Sequence, residues 1–104
     1  MKKFLLLYHG GSMPEGEAAQ AQVMKAWEGW FGKLGKSLVD GGNPTGASKT
    51  IAANGSVSSG AANGASGYSV ISADSLDAAV ALAKGCPVLG GGASIEVCEI
   101  VEVM

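Results

Sequence analysis

The sequence predicts an α+β fold: a ferredoxin-like split βαβ arrangement with an inserted hairpin, whose antiparallel sheet carries two helices on one face. Three observations predict it. Residues 67–87 have the pattern of a strand, a helix cap, a helix and a stop. Residues 94–103 supply a neighbouring strand. The elements follow the order β-α-β-hairpin-β-α-β. A length of 104 residues fits one domain, spanning residues 1–104.

The chain opens with a strand and a long helix. Lys2 to Tyr8 is an almost continuous apolar run, typical of a strand that is covered on both faces. Ser12 and Glu15 have the spacing of a capping box, which predicts that a helix begins there. Gly29 and Gly32 lie inside the helix at a cost of about 1 kcal/mol each relative to Ala, so we expect a close packing partner. Its apolar stripe, with both tryptophans, is Val23, Trp27, Trp30, Phe31, Leu34 and Leu38.

A short strand and a hairpin are expected in the middle of the chain. Residues 37–39 follow the helix stop and can form the short strand. Residues 48–53 and 56–58 then flank Asn54-Gly55, the dipeptide favoured by a type I′ hairpin turn. We expect this weakly apolar hairpin to be exposed.

The second strand-helix unit has clear boundaries. Residues 68–71 are rich in aromatic and β-branched side chains, and Asp74 or Ser75 can cap the helix that follows. Gly85 and Pro87 end that helix. Its apolar face is Leu76, Ala79, Val80 and Ala83.

The last strand, residues 94–103, does not alternate strictly. In an alternating strand Glu96 and Glu102 would point to one face, whereas Glu99 would point to the other. A bulge would account for the switch, and so would a strand that runs past its own sheet onto another subunit.

Composition excludes several classes of partner. The net charge is −2, the seven lysines are scattered and the chain has no arginine, so we expect no nucleic-acid binding. No stretch is long enough to span a bilayer, and we expect no membrane association.

Metal and cofactor motifs are not expected either. Cys86 and Cys98 are too few and too widely spaced for a zinc site, and Gly90 to Gly92 lack the spacing of a dinucleotide fingerprint. Without an export signal we expect a cytoplasmic protein with reduced thiols, a disulfide being the alternative.

A homodimer is predicted from the layout. Two helices on one sheet face leave the other face bare, although the strands carry apolar residues on both of their faces. A second copy packed sheet to sheet would remove that face from water.

Several segments resemble the YCII-related family, including its DGPF-domain branch. They are residues 3–8, residues 38–42, the helix end at residues 84–87 and residues 91–97. The resemblance covers nearly the whole chain and implies a dimeric α+β barrel.

Two departures from the family affect function. The DGPF branch carries Asp-Gly-Pro-Phe where this chain has residues 58–64. For a second branch, the resemblance implies an acid/base pair formed by a His on the first helix and an Asp before the Pro that follows the second helix. Here residues 22–26 hold no His and Cys86 precedes Pro87, so the pair is absent.

A few residues remain as site candidates. His9, the only histidine, follows the first strand, and in such barrels this position would open toward the cleft between helix and sheet, where it could act as a general base. A solvated loop histidine is the alternative. Trp27, Trp30 and Tyr68 are candidates for contact with an aromatic ligand, although tryptophans on a regular helical stripe usually belong to the core.

Three functions are compatible with the sequence. The first is a homodimeric YCII-like protein that binds a small molecule between helices and sheet without a catalytic set. The second is a cofactor-independent enzyme acting on a small aromatic or carbonyl compound with His9 as general base. The third is a subunit that mainly assembles with other proteins or is fused to them elsewhere.

Overall fold

The structure, a computed structural model, describes residues 1–11, 15–60 and 64–103. Two helices and six strands form in these ranges, and short 3₁₀ turns occupy Gly35–Ser37 and Pro87–Gly91. In chain order the elements are β1 Lys2–His9, α1 Glu17–Leu34, β2 Leu38–Asp40, β3 Lys49–Ile51, β4 Val57–Ser59, β5 Ala65–Ala73, α2 Leu76–Ala83 and β6 Ser94–Glu99.

The main sheet has four strands in the order β2-β5-β1-β6, and every neighbouring pair is antiparallel. The strands β3 and β4 form a separate antiparallel hairpin. The predicted α+β class with an antiparallel sheet and two helices is therefore confirmed. Neither helix in the described part of the chain is long and apolar enough to cross a bilayer.

The core lies between the sheet and both helices. Phe4, Leu6 and Ile71 of the sheet are fully buried and belong to one cluster with side chains of both helices, including Trp30 and Ala79. The intervening residues of β1 and β5 are only partly buried. The sequence predicted that β1 is covered on both faces, but within this chain only the helix side is covered.

The opposite side of the sheet, here called the outer sheet face, carries neither of the helices in the described part of the chain. The strand registers place its members side by side, because alternate residues of a strand point to the same face. The outer sheet face consists of Lys3, Leu5, Leu7 and His9 of β1, Tyr68, Val70 and Ser72 of β5, and Ser94, Glu96 and Cys98 of β6.

Helix α1 differs from expectation at two points. It begins at Glu17 after Gly16, which supplies no side-chain cap, and the predicted capping residue Ser12 lies outside the described residues. Gly29 and Gly32 have open space where a side chain would be, so the expectation of a close packing partner is wrong. Both glycines lie on the exposed side of the helix, where backbone approach is not required.

The hairpin forms as predicted, but its turn is of another type. A type I′ turn requires positive φ at both central residues, and only Gly55 of the pair has it, at +89°. The Gly55 amide donates to the Ala52 carbonyl at 2.8 Å, and the Ala52 amide donates to the Ser56 carbonyl at 2.7 Å. This is the geometry of a three-residue loop with a bulge glycine, which also connects strands without splaying them.

Helix α2 has the predicted boundaries. The Ser75 hydroxyl accepts a hydrogen bond from the Ala78 amide at 3.1 Å, which confirms the cap. The helix ends at Ala83, and Pro87 opens the next turn.

The last strand is shorter than predicted and pairs with β1 without a bulge. It ends at Glu99, so the expected strand to residue 103 is wrong. Glu99 pairs with Phe4 and its carboxylate lies 3.6 Å from the Lys2 ammonium, which explains its change of parity at the sheet end. Beyond it, Val101 and Val103 are exposed.

Candidate functional site

A cavity of about 870 Å³ opens between helix α1, the end of the sheet and the turn that follows α2. Its helix wall is residues 19–31 on one side of α1, its opposite wall is residues 41–44 with 66–68, and residues 87–91 close one end. The side chains that line it are mostly apolar or aromatic: Tyr8, Val23, Met24, Trp27, Phe31 and Val88. A volume of this size is in the range of small-molecule sites, roughly 300 to 1,000 Å³.

Trp27 is the centre of an aromatic cluster in the cavity wall. Its ring centroid lies 5.7 Å from that of Tyr8, 5.6 Å from that of Trp30 and 5.7 Å from that of Phe31. The rings of Tyr8 and Trp30 meet Trp27 edge to face, an arrangement that aromatic pairs prefer. Trp27 is only partly buried because one side of its ring faces the cavity.

Trp30 belongs to the core and does not line the cavity within the described ranges. Its indole Nε1 donates to the Leu82 carbonyl oxygen at 3.1 Å and so joins α1 to α2. Gly85 packs closely against the same ring, since a Cβ there would lie 3.3 Å from Trp30 Cδ1. Of the two tryptophans, the structure brings only Trp27 to the cavity.

Tyr68 also lines the cavity, although its position on β5 belongs to the outer sheet face. It pairs with Leu7, whose neighbour Tyr8 is the residue directed to the helices. Its carbonyl oxygen lies close to Gly42, where an added Cβ would collide with it.

Tyr8 supplies a ring to the cavity while its hydroxyl is occupied. The hydroxyl donates to Ser69 Oγ at 2.7 Å, and Ser69 Oγ donates to the Gly41 carbonyl at 2.8 Å. Burial raises the pKa of Tyr8 well above its ordinary value of 10.0. The phenol is therefore neutral at physiological pH and acts as a wall residue.

His9 lies on the outer sheet face and not in the cavity lining. Alternation along β1 directs Tyr8 to the helices and His9 away from them, which contradicts the expectation that His9 faces the cleft. Its Nε2 lies 3.1 Å from Glu96 Oε1, and its buried Nδ1 has no hydrogen-bond partner in the described part of the chain. The general-base role of His9 stays a prediction.

Both cysteines are free thiols. Burial raises the pKa of Cys86 above the ordinary value of 9.0. Desolvation raises the pKa of Cys98, and Glu96, whose Oε2 lies 3.5 Å from Cys98 Sγ, adds to the rise. Within residues 1–11, 15–60 and 64–103 no group of three or more His, Cys, Asp or Glu side chains is arranged to hold a metal ion.

No family model, curated protein or solved structure matches this chain. The YCII-related family remains a resemblance based on the sequence segments quoted above.

Two of the three aromatic residues predicted from the sequence to contact a ligand, Trp27 and Tyr68, line the cavity from opposite walls, whereas the other lining residues were not predicted. Phe31 follows Trp27 by one helical turn on the same stripe, so its position was available from the sequence. Tyr8 was assigned only to a strand, and its role depends on which face of β1 meets the helices. The contribution of residues 87–91 has no signal in the sequence, because it arises from the path of the chain after α2.

Proposed function

We propose that this chain is a homodimeric YCII-like protein of the ferredoxin-like, dimeric α+β barrel type that binds a small molecule in the cavity between α1 and the sheet. The observation that carries the proposal is the aromatic wall around Trp27 on a cavity of about 870 Å³. A hydrophobic cavity of this kind, with a few polar groups at its edge, is the usual form of a small-molecule site.

Binding is favoured over catalysis by the chemistry of the lining. In the part of the chain that the structure describes, the only titratable side chains among the lining residues are Tyr8 and Tyr68. The raised pKa of Tyr8 opposes a role as general base near neutral pH.

Binding at this site is testable with Trp27→Ala, because that change removes the centre of the wall. Ligand-observed NMR with acetophenone should detect saturable binding to the wild type and at least a tenfold loss of affinity in the variant. Ile51→Ala, on the exposed hairpin, is the matched control and should bind as the wild type does. Equal binding by all three proteins would place the acetophenone elsewhere and refute the proposed site.

The homodimer is supported by the outer sheet face. Leu5, Leu7 and Val70 lie side by side on it and are only partly buried within one chain. The same face carries Lys3 and Glu96, so a copy related by a two-fold axis offers each of them a partner of opposite charge. We place the last strand and the residues that follow it, predicted from the sequence as residues 94–104, at the seam between the two sheets, because Ile100, Val101 and Val103 are exposed apolar side chains beyond the end of β6.

Sedimentation equilibrium tests the dimer directly. The wild type should sediment as a dimer at micromolar concentration, and Leu7→Asp should sediment as a monomer because the new charge lies at the centre of the outer sheet face. Leu89→Asp, at a half-exposed position on the turn after α2, is the control and should remain dimeric. A folded, monomeric wild type would refute this part of the proposal.

A second candidate function is a cofactor-independent enzyme that acts on a small aromatic or carbonyl compound with His9 as general base. The favouring observation is the contact between His9 Nε2 and Glu96 at 3.1 Å together with the unpaired Nδ1, since a carboxylate orients an imidazole for proton transfer. Deuterium exchange at the methyl group of acetophenone in D₂O measures such proton abstraction. The wild type should accelerate it and His9→Gln should not; exchange at the buffer rate in both would exclude this reaction.

The cytoplasmic location stays a prediction and is part of the same proposal. It is supported by the two free thiols, Cys86 and Cys98, which are typical of a reducing compartment.

A further inference from the structure

The cavity wall is uncharged. All seven lysines and all nine acidic residues of the chain fall within residues 1–11, 15–60 and 64–103, and none of them lines the cavity. The polar side chains in the lining are neutral: Gln22, Asn43 and Ser66, besides the two tyrosines. An ionised group that enters this space gives up part of its hydration without meeting a charge of opposite sign, which is unfavourable.

The wall also has the geometry for a flat ring. Trp27 meets Tyr8 with an angle of 67° between the ring planes and meets Phe31 with an angle of 55°. Rings inclined in this way present both faces and edges to the cavity, so a planar aromatic molecule can add an edge-to-face or offset-stacked contact.

Hydrogen-bonding groups lie on two opposite walls of the same cavity, Gln22 on the α1 wall and Asn43 and Ser66 on the other. The amides of Gln22 and Asn43 and the hydroxyl of Ser66 can each donate and accept. They therefore suit a neutral hydroxyl or carbonyl group, which an amide or hydroxyl can pair with fully, whereas a carboxylate requires a compensating positive charge when it leaves water.

We infer that the ligand of this cavity is an uncharged, planar aromatic compound that carries a hydroxyl or carbonyl group. The inference rests on the proposed binding function and specifies the chemical class of the ligand. It excludes aromatic carboxylates and sulfonates as preferred ligands.

A matched pair of probes tests the charge preference. The methyl ketone 2-acetylnaphthalene and the anion 2-naphthoate have almost the same shape and differ in charge. Isothermal titration calorimetry near neutral pH and at physiological salt should give a dissociation constant for the ketone that is lower by roughly tenfold or more. Trp27→Ala should weaken binding of the ketone, which assigns the binding to the cavity.

A charge introduced into the lining should reverse the preference. Gln22 is exposed on α1, so Gln22→Lys leaves the core intact and places a cation at the cavity edge. This variant should bind 2-naphthoate more tightly than the wild type does. Ala21→Lys adds the same charge at the neighbouring position, which does not line the cavity, and should leave the ratio of the two dissociation constants unchanged.

The possible outcomes separate the inference from the function on which it rests. Equal affinity for the two probes, or tighter binding of 2-naphthoate by the wild type, overturns the inference and leaves the binding function standing. Identical effects of Gln22→Lys and Ala21→Lys also overturn it. Failure of both probes to bind the wild type overturns the inference and the binding function together.

Discussion

Trp30 is the side chain whose removal should destabilise the protein most. Its ring is 4% exposed and packs among both helices and the sheet, so Trp30→Ala opens a large cavity in the core. Changes of this kind cost about 3 to 5 kcal/mol. A domain of 104 residues has a total free energy of unfolding of about 5 to 15 kcal/mol, so the variant loses roughly a fifth or more of its stability.

The hydrogen bond of Trp30 contributes a smaller share. Its Nε1 donates to the Leu82 carbonyl, but that oxygen also accepts from the Gly85 amide at 3.2 Å and keeps a partner when the indole is removed. The loss is then the net value of one bond, about 1 kcal/mol, without an unsatisfied acceptor. Trp30→Phe, which keeps an aromatic ring, should therefore cost about 1 to 2 kcal/mol.

Urea unfolding followed by circular dichroism measures these costs, with all variants at one protein concentration because a dimer's stability depends on it. The midpoint should decrease in the order wild type, Trp30→Phe, Trp30→Ala with an unchanged m-value. The melting temperature of Trp30→Ala should fall by on the order of 15 to 25 °C. Trp27→Ala is the comparison and should cost less, because part of its ring already faces the cavity. A larger loss for Trp27→Ala than for Trp30→Ala would refute this assignment of the core.

Three further predictions concern the backbone and the thiols. Gly42→Ala should cost on the order of 2 kcal/mol or more in urea unfolding, because φ is +76° and the new Cβ would meet the Tyr68 carbonyl. Cys86 should react with a thiol reagent much more slowly in native than in unfolded protein, since it is buried and its pKa is raised. Freshly purified unfolded protein should yield two free thiols. The free energy of unfolding should fall as pH rises through the ordinary thiol pKa of 9.0, because unfolded Cys86 releases a proton that the native thiol retains.

Each of these predictions has a matched control or a result that would contradict it. Gly46→Ala has open space around the added Cβ and should change stability by no more than about 0.5 kcal/mol; an equal loss at Gly42 and Gly46 would contradict the steric argument. Rapid reaction of Cys86 in native protein would contradict its burial. Cys86→Ala should reduce the alkaline loss of stability, and an unchanged pH profile in that variant would show that Cys86 is not responsible.

Local features of the fold were predictable because their causes are local. The Ser75 cap requires only a hydroxyl next to an apolar helical pattern, and the structure has it. The hairpin around Gly55 was predicted from one dipeptide, but the turn type was wrong because more than one turn uses a glycine with positive φ. The switch of face at Glu99 was expected to reflect a bulge or a strand that runs onto another subunit, whereas β6 ends at Glu99 and the Glu99 carboxylate pairs with the Lys2 ammonium.

The sequence by itself determined the number and type of the elements, because apolar periodicity and turn residues act within a few positions of one another. Only the tertiary structure decided which face of β1 meets the helices. That choice directs Tyr8 into the cavity and His9 onto the outer sheet face, although the two are adjacent in the chain. The physical reason is that β1 is apolar at both parities, so its own sequence does not select a face; the packing of α1 and α2 selects it.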